Sequence, residues 1–354
     1  MKKENIRILV AVITVICLAA ILFSYIRGKR LVVPVGRIEF DGGVRQVMGT
    51  FAHIVAVADD SNTAQRCIEA GFAQLAAIDN SMSDYKSDSE LSIVNRDAFK
   101  GKVRVSERIF EILKKSVEFS RKSSGAFDIT VGPLVDLWHK AGEANCVPAA
   151  SEIAQVRSRV GYEKLILDGN DGTVHFAVDG MRLDLGGIAK GYAVDMAAYA
   201  MQKCGALGGM VDAGGNIRLF GCPPQGKDYW LIGLQDPAEA RDLNSSKSLL
   251  VLKLNNISIS TSGDYQRFVT IGGKKFSHII DTNTGCSSRG LSSVTIIAPD
   301  AVDADALSTA VTVMGTEKGL ALIETIPQVE AILISSSPEY KIIKTRGAEK
   351  FIEH

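Results

Sequence analysis

Residues 183–193 read LDLGGIAKGYA and join an apolar, strand-like run to a helix-like one. Two adjacent glycines, Gly186 and Gly187, lie between the carboxylate of Asp184 and the amine of Lys190. Glycine lets the backbone approach a bulky ligand, and the free N–H groups at a helix start suit anions such as phosphate. The segment therefore indicates either a packing turn or an anion-binding turn, and turn chemistry alone favours packing.

Two further segments carry residue types that are suited to binding or catalysis. Residues 125–134, GAFDITVGPL, offer Phe127 to pack on a flat ring and Asp128 to accept hydrogen bonds from one. The alternative for this phenylalanine is a plain core position. Residues 277–281, SHIID, put His278 between a strand-like run and a turn, where reactive groups are often displayed. The alternative for this histidine is that it only braces the turn.

Residues 303–310, DADALSTA, predict a helix in which Asp305 and Thr309 are one turn apart on the same face. A carboxylate and a hydroxyl suit a hard cation such as Mg²⁺, which prefers oxygen ligands and keeps positions for substrate phosphates. The alternative is capping of the helix by Asp303, with small residues packed behind it. On this segment alone the capping interpretation is favoured.

The charge and cysteine content narrow the class of protein. The 354 residues include 40 basic and 40 acidic ones, so the formal net charge is zero and nucleic acid is an unexpected partner. Of the six cysteines, Cys17 lies in an apolar N-terminal run, and no Cys-x-x-Cys occurs among the others. The pattern predicts isolated small buried residues rather than a zinc site or a disulfide framework.

The N-terminal segment 8–26 contains no charged residue. Its length approaches the roughly 20 residues that span a bilayer. No small-x-small cleavage site follows it, and Ile16 precedes Cys17 where a lipoprotein would have a small residue. We therefore expect an uncleaved transmembrane anchor in the cytoplasmic membrane, with the main body outside the cytoplasm.

The rest of the chain predicts one large body. Residues 1–7 are a short cytoplasmic terminus, residues 27–43 a linker, and residues 44–345 the main domain. Apolar residues recur at helical spacing over 63–78 and again after Ser106, whereas other short runs are strand-like. Helices and strands do not alternate regularly, so the pattern predicts the α+β class.

Six ordered segments resemble the ApbE family of FAD:protein FMN transferases, and the resemblance runs from about residue 44 to about residue 340. The segments are MGT (48–50), GAFDITVGPL (125–134), DLGGIAKGYA (184–193), VDAGGN (211–216), SHIID with TG (277–281 and 284–285), and ADALSTA (304–310). The resemblance implies a single mixed α/β, T-fold-like body, often tethered outside the cytoplasmic membrane.

The resemblance also implies a chemistry. Family members split FAD at its pyrophosphate in the presence of Mg²⁺. They transfer the FMN half to a Thr or Ser hydroxyl of a partner protein and release AMP. The acceptor carries a motif close to D-G-x-[ST]-G-A-[ST] and belongs to a membrane redox complex or an extracytoplasmic reductase.

The resemblance assigns roles to twelve positions of this sequence. The metal ligands are Asp305, Thr309 and the backbone carbonyl of Gly187. His278 is the catalytic residue, as the base for the acceptor hydroxyl. The positions that contact FAD are Met48, Tyr85, Ala126, Phe127, Asp128, Asp184, Lys190 and Ile279.

Two other functions remain open at the level of sequence. An FAD pyrophosphatase would cut FAD to FMN and AMP with water at a similar site. A membrane-tethered flavin-binding protein without turnover belongs to a different class. Asp305, Thr309 and His278 argue against that second alternative, because storage of a flavin needs no metal pair.

Overall fold

The computed structural model describes residues 38–221, 223, 226, 228–237, 248–263, 268–336 and 340–353. The predicted anchor, residues 8–26, and the terminus before it lie outside the described residues. Within the described ranges, no helix is long and apolar enough to cross a membrane.

The described residues form a mixed α/β body, in agreement with the predicted class. The strands are β1 (Ile38–Val47), β2 (Thr50–Ala58), β3 (Val103–Arg104), β4 (Leu165–Asp168), β5 (Thr173–Phe176), β6 (Gly208–Ala213), β7 (Asn216–Phe220), β8 (Trp230–Gln235), β9 (Ser248–Leu254), β10 (Ser258–Gly263), β11 (Phe268–Ile271), β12 (Lys274–Ser277), β13 (Ile280–Asp281), β14 (Cys286–Ser287), β15 (Leu291–Ala298), β16 (Glu330–Ser335) and β17 (Ile342–Lys344). The α-helices are α1 (Ser61–Met82), α2 (Glu90–Asp97), α3 (Glu107–Lys122), α4 (Gly132–Ala144), α5 (Ala150–Arg157), α6 (Ala189–Cys204) and α7 (Ala301–Glu324).

An eight-stranded antiparallel sheet in the order β1-β2-β6-β7-β10-β15-β16-β17 organises the body. Alternate residues of β2 point to opposite faces. Ile54 and Ala56 enter the main core with the helices, whereas Val55 and Val57 enter a second core with the β8–β9 hairpin. Both faces of the sheet are therefore covered, which explains why every residue of β15 is buried.

Local sequence patterns account for the main helices. The apolar positions spaced along α1 are all buried, as the periodicity predicts. At α3, the hydroxyl of Ser106 accepts a hydrogen bond from the N–H of Ile109 at 3.4 Å, so the predicted cap is confirmed. Helix α7 is interrupted at Gly315, whose φ of 75° is non-helical.

The body extends further at both ends than the interval 44–345. Strand β1 begins at Ile38, inside the stretch interpreted as a linker. At the other end, a 3₁₀ helix, Arg346–Phe351, follows β17, and Ile352 forms a bridge with Leu252. Hairpin pairing with β2 sets the first boundary and a bridge to the distant strand β9 sets the second, and composition near the ends reveals neither.

A third, smaller core supports the segment that contains His278. Hairpins β11–β12 and β13–β14 pack on α4 through Leu134, Trp138, Phe276 and Ile280. The indole N–H of Trp138 donates to the carbonyl of Gly285 at 2.9 Å, and its ring lies 5.1 Å from that of Phe276. The histidine segment is thus attached to α4 rather than to the central sheet.

The cysteines differ from the predicted pattern. Cys67 is fully buried, but Cys146 and Cys286 are exposed, so the prediction of buried residues is wrong for these two. They lie in a loop after α4 and in a short hairpin, which leave side chains in solvent. Cys67 is also not isolated, because Cys204 lies beside it, and burial together with this neighbouring thiol raises the pKa of Cys67 to about 12.

Candidate functional site

A cavity of about 1090 Å³ opens between the β1–β2 turn, the glycine turn before α6, α7 and the His278 segment. Small-molecule sites typically measure about 300–1,000 Å³, so this one has room for a large ligand. Every site residue predicted from the sequence lines it: Met48, Tyr85, Ala126, Phe127, Asp128, Asp184, Gly187, Lys190, His278, Ile279, Asp305 and Thr309. The fold brings together segments that are distant in sequence, while the role of each residue stays a prediction.

The glycine turn is braced by its own polar groups. The N–H of Asp184 donates to the carbonyl of Ile129 at 2.7 Å, and its Oδ1 accepts from the N–H of Gly186 at 2.7 Å. The amine of Lys190 donates to the carbonyl of Gly186 at 2.9 Å. A cation is therefore held at the start of α6, next to the cavity, where it favours an anionic ligand.

The run before this turn is not a regular strand, contrary to its apolar pattern. Arg182 makes only an isolated bridge with Val131. Instead, the side chain of Asn95 pairs with the backbone of Leu183. Its Nδ2 donates to the carbonyl of Leu183 at 3.0 Å, and its Oδ1 accepts from the N–H of Leu183 at 2.7 Å. A side chain thus replaces the neighbouring strand that the pattern implied.

The predicted metal ligands meet where α7 packs against the glycine turn and the start of α6. Asp305 and Thr309 lie one turn apart on α7, as predicted. A Cβ placed on Gly187 would lie 2.9 Å from the hydroxyl of Thr309, so the glycine backbone and that hydroxyl are close neighbours. Asp305 is buried and its Oδ2 accepts from the N–H of Gly191 at 2.9 Å. Burial raises the pKa of Asp305, and the positive charge of Lys190 opposes that effect.

The donor set at this contact fits Mg²⁺. Within the described ranges, no group of three or more His, Cys, Asp or Glu side chains is arranged to hold a metal ion. A metal between Gly187, Asp305 and Thr309 would instead be held by a carbonyl, a carboxylate and a hydroxyl. Such oxygen ligands suit a hard cation that keeps some positions for water and phosphate.

Two of the residues predicted to contact FAD, Phe127 and Asp128, make several contacts within the protein. Phe127 is 2% exposed and meets Phe119 edge to face, with centroids 6.3 Å apart, as a core residue would. The carboxylate of Asp128 accepts from the N–H and hydroxyl of Thr130 and from the N–H of Tyr162, each at 2.8 Å. These bonds hold the loop at the cavity wall and use much of the acceptor capacity of Asp128.

The rim of the cavity carries the exposed candidates. His278 is exposed directly after β12, while its neighbour Ile279 is buried in the wall. Tyr85 is 83% exposed in the polar stretch after α1. Met48 adopts a left-handed conformation, φ 53°, in the turn between β1 and β2. A large ligand would therefore lie between a buried inner wall and side chains that remain accessible from solvent.

A polar network at the cavity wall, which includes the lining residues Asn216 and Ser262, was missed at the level of sequence. The hydroxyl of Ser260 donates to Asn216 Oδ1 at 2.7 Å, and the hydroxyls of Ser262 and Ser308 are 2.8 Å apart. Serines at every second position of β10 share one face of the strand. That spacing, Ser-x-Ser-x-Ser over 258–262, is the signal that could have indicated a polar face here.

Arg182 is a second feature that sequence motifs did not indicate. Its guanidinium pairs with Asp84 and, at 2.8 Å, with Asp136. Burial raises the pKa of Asp84, as does the nearby charge of Asp184, while Arg182 opposes both. The arginine thus ties the loop that contains Tyr85 to α4 and to the glycine turn.

Fold and site together define a mixed α/β protein with a large cavity, whose lysine, glycine turn and oxygen donors suit a phosphate-containing ligand with rings. The chain belongs to the ApbE family, whose model matches residues 48–333.

Individual relatives agree with this assignment. A curated FAD:protein FMN transferase from Haemophilus influenzae is 34% identical over 287 residues, which cover 79% of this chain and 82% of that protein. The crystal structure of the ApbE protein from Thermotoga maritima has a TM-score of 0.80 and 31% identity, covering 90% of this chain and 100% of that one. The flavin transferase ApbE from Vibrio cholerae has a TM-score of 0.75 and 30% identity, with the same coverage.

Proposed function

We propose that the chain transfers the FMN half of FAD to a Thr or Ser hydroxyl of a partner protein, with Mg²⁺ bound, and releases AMP. One observation carries the proposal most. All twelve positions to which the ApbE resemblance assigns a role line a single cavity, although they come from well-separated segments. Curated relatives with up to 34% sequence identity are named FAD:protein FMN transferase, which also supports the proposal.

The cavity offers matching environments for the parts of FAD. Apolar wall residues such as Ile279 and Phe127 suit the flat rings. Lys190, at the start of α6, suits the negatively charged pyrophosphate. When bound by Gly187, Asp305 and Thr309, Mg²⁺ would neutralise charge on the phosphate oxygens, which is a large part of phosphoryl-transfer catalysis.

The proposed transfer step is a displacement at phosphorus. The acceptor oxygen forms a bond to the phosphorus of the FMN half, and the bond from that phosphorus to the bridging oxygen breaks. AMP leaves with the bridging oxygen. His278 takes the proton of the acceptor hydroxyl, and its exposed position at the rim suits a hydroxyl that belongs to another protein.

A direct assay tests this function against its two alternatives. We expect the full chain in mild detergent, with FAD, Mg²⁺ and a protein bearing the D-G-x-[ST]-G-A-[ST] motif, to yield a flavin-fluorescent band on a denaturing gel and one AMP per flavin attached. An acceptor whose motif Thr or Ser is replaced by Ala is the control and should stay dark.

The other outcomes separate the alternatives. Free FMN and AMP without a fluorescent band would indicate hydrolysis. FAD binding without any AMP would indicate a flavin-binding protein and would contradict the transfer proposal.

We further infer that residues 8–26 anchor the body to the outer side of the cytoplasmic membrane. The uncharged run of residues supports this inference. The acceptor would then be a membrane redox complex or an extracytoplasmic reductase that carries the motif.

The attachment of the His278 segment to α4 leads to a prediction. Trp138→Phe removes the donor to the buried carbonyl of Gly285, and a buried group without its partner costs about 1–3 kcal/mol. We expect the free energy of unfolding, measured in urea, to fall by about that amount. The transfer rate should fall as well. His278 lies just before the β13–β14 hairpin, and this hairpin would be held less firmly.

The other tryptophan of the chain provides a matched control. Trp230 donates to the carbonyl of Gly221 at 3.3 Å in the second core, on the other face of the sheet. Trp230→Phe should lower stability without a specific effect on transfer. Equal transfer rates in the two variants would show that the bond of Trp138 does not position the site.

A further inference from the structure

Helices α6 and α7 cap each other at their N-termini. On α6, the two carboxylate oxygens of Asp195 accept from the N–H groups of Ala301 and Val302, at 3.0 and 2.9 Å, in the first turn of α7. On α7, Oδ2 of Asp305 accepts from the N–H of Gly191, in the first turn of α6, at 2.9 Å. Asp195 lies four residues after Gly191 on α6, and Asp305 lies four residues after Ala301 on α7. The arrangement is therefore reciprocal.

The helices approach very closely between these two carboxylates. A Cβ on Gly191 would lie 2.2 Å from the carbonyl oxygen of Ala301 and 2.7 Å from Cβ of Asp305, so only glycine fits. Among the described residues, the N-cap positions Ile188 and Asp300 supply no side-chain cap of their own. The side-chain cap of each helix therefore comes from the neighbouring helix. These two sets of hydrogen bonds fix how α6 and α7 cross.

This crossing brings together the two halves of the proposed metal-binding site. Gly187 lies just before α6, whereas Asp305 and Thr309 lie on α7. Asp195 itself lies behind the cavity wall, since the described lining residues include Lys190 and Asp305 but not Asp195. We propose that Asp195 is a positioning residue that sets the distance between Gly187 and the two ligands on α7, and this proposal rests on the proposed function.

The physical basis is the strict geometry of Mg²⁺. The ion requires nearly ideal octahedral coordination at about 2.0–2.1 Å, so small shifts of one helix reduce affinity. Loss of residues that orient metal ligands typically costs about 10–100-fold in metal affinity. Burial raises the pKa of Asp195 to about 6, opposed by its bonds to Val302 and Ala301 and by Arg218 at 3.7 Å. At pH 7.5 the carboxylate is therefore ionised and can accept from both N–H groups.

The test measures metal binding separately from activity. Mn²⁺ affinity of the full chain in detergent is determined at pH 7.5 by electron paramagnetic resonance, without FAD. We expect Asp195→Ala to bind Mn²⁺ about 10–100-fold more weakly, and Asp195→Asn to be intermediate, because one acceptor oxygen remains. The Mg²⁺ concentration for half-maximal transfer should rise by the same factors, and excess Mg²⁺ should restore the rate.

Asp60→Ala is the matched control. Asp60 also caps a helix, accepting from the N–H of Thr63 at 3.0 Å, but it lies near the other end of α6, where Thr63 neighbours Gly205. This variant should lower the unfolding temperature and leave Mn²⁺ affinity unchanged. If Asp195→Ala does not fold, Asp195→Asn carries the same comparison.

The outcomes distinguish the two proposals. Wild-type Mn²⁺ affinity in folded Asp195 variants would overturn the positioning role alone. A wild-type chain that binds Mn²⁺ but attaches no flavin would overturn the proposed function, while a reduced affinity in Asp195→Ala would still support positioning. A wild-type chain that binds no Mn²⁺, either without or with FAD, would overturn both.

Discussion

Asp305→Asn is expected to abolish flavin transfer while the protein stays folded. Loss of a charged ligand should cost more than the roughly 10–100-fold that follows loss of a residue behind the ligands. Asparagine is preferable to alanine, because Asp305 accepts from the buried N–H of Gly191. An alanine would leave that donor without a partner, at about 1–3 kcal/mol, and would confuse stability with catalysis. AMP release and flavin fluorescence of the acceptor measure the effect.

Asp303→Asn is the control for this experiment. Asp303 lies two residues earlier on α7, on a different face of the helix, and pairs with Lys115 at 2.5 Å. It should keep nearly the full transfer rate. Wild-type turnover by Asp305→Asn at ordinary Mg²⁺ concentrations would reject Asp305 as a metal ligand.

His278→Ala is expected to slow flavin attachment by about 10²–10⁴-fold, the usual contribution of a general base. The affinity for FAD should change little, because a group that acts on the acceptor hydroxyl adds little to binding of FAD. The rate of flavin attachment and FAD affinity, measured by quenching of flavin fluorescence, should both be determined. Excess acceptor should not restore the rate, since the proton still lacks its base.

His139→Ala is a useful comparison, since His139 is also exposed and also lines the cavity. It should retain most of the transfer rate. If His278 only braces the turn before Asp281, His278→Ala should lose stability and FAD affinity together. A rate that falls only in proportion to lost FAD binding would therefore argue against the role as base.

Features that depend on neighbours along the chain were predicted well. The spacing of apolar residues in α1, the Ser106 cap and the one-turn separation of Asp305 and Thr309 all follow from helical geometry over a few residues. The strand-like runs of the sequence, 164–167, 173–178, 249–254, 294–298 and 331–334, correspond to β4, β5, β9, β15 and β16. The order of the motifs also led to the correct family, because each motif reflects a local chemical requirement.

Predictions for single residues were less complete where tertiary packing determines the contacts of a side chain. Phe127 lines the cavity and also packs edge to face on Phe119, so it combines the features of a ligand contact and of a core position. Asp128 is largely occupied by Thr130 and Tyr162. Cys146 and Cys286 are exposed despite the usual burial of cysteine. Which groups meet a side chain depends on segments that composition and periodicity do not locate.

The sequence by itself determined the main helices, several strands, the family and the residues predicted for the candidate site, because those depend on residue type and short-range spacing. Only the tertiary structure decided how the two halves of that site meet. Asp195 and Ala301 are 106 residues apart along the chain, and their hydrogen bond exists because α6 and α7 cross at Gly191. A long-range contact of this kind depends on the packing of the whole core, which no local pattern encodes.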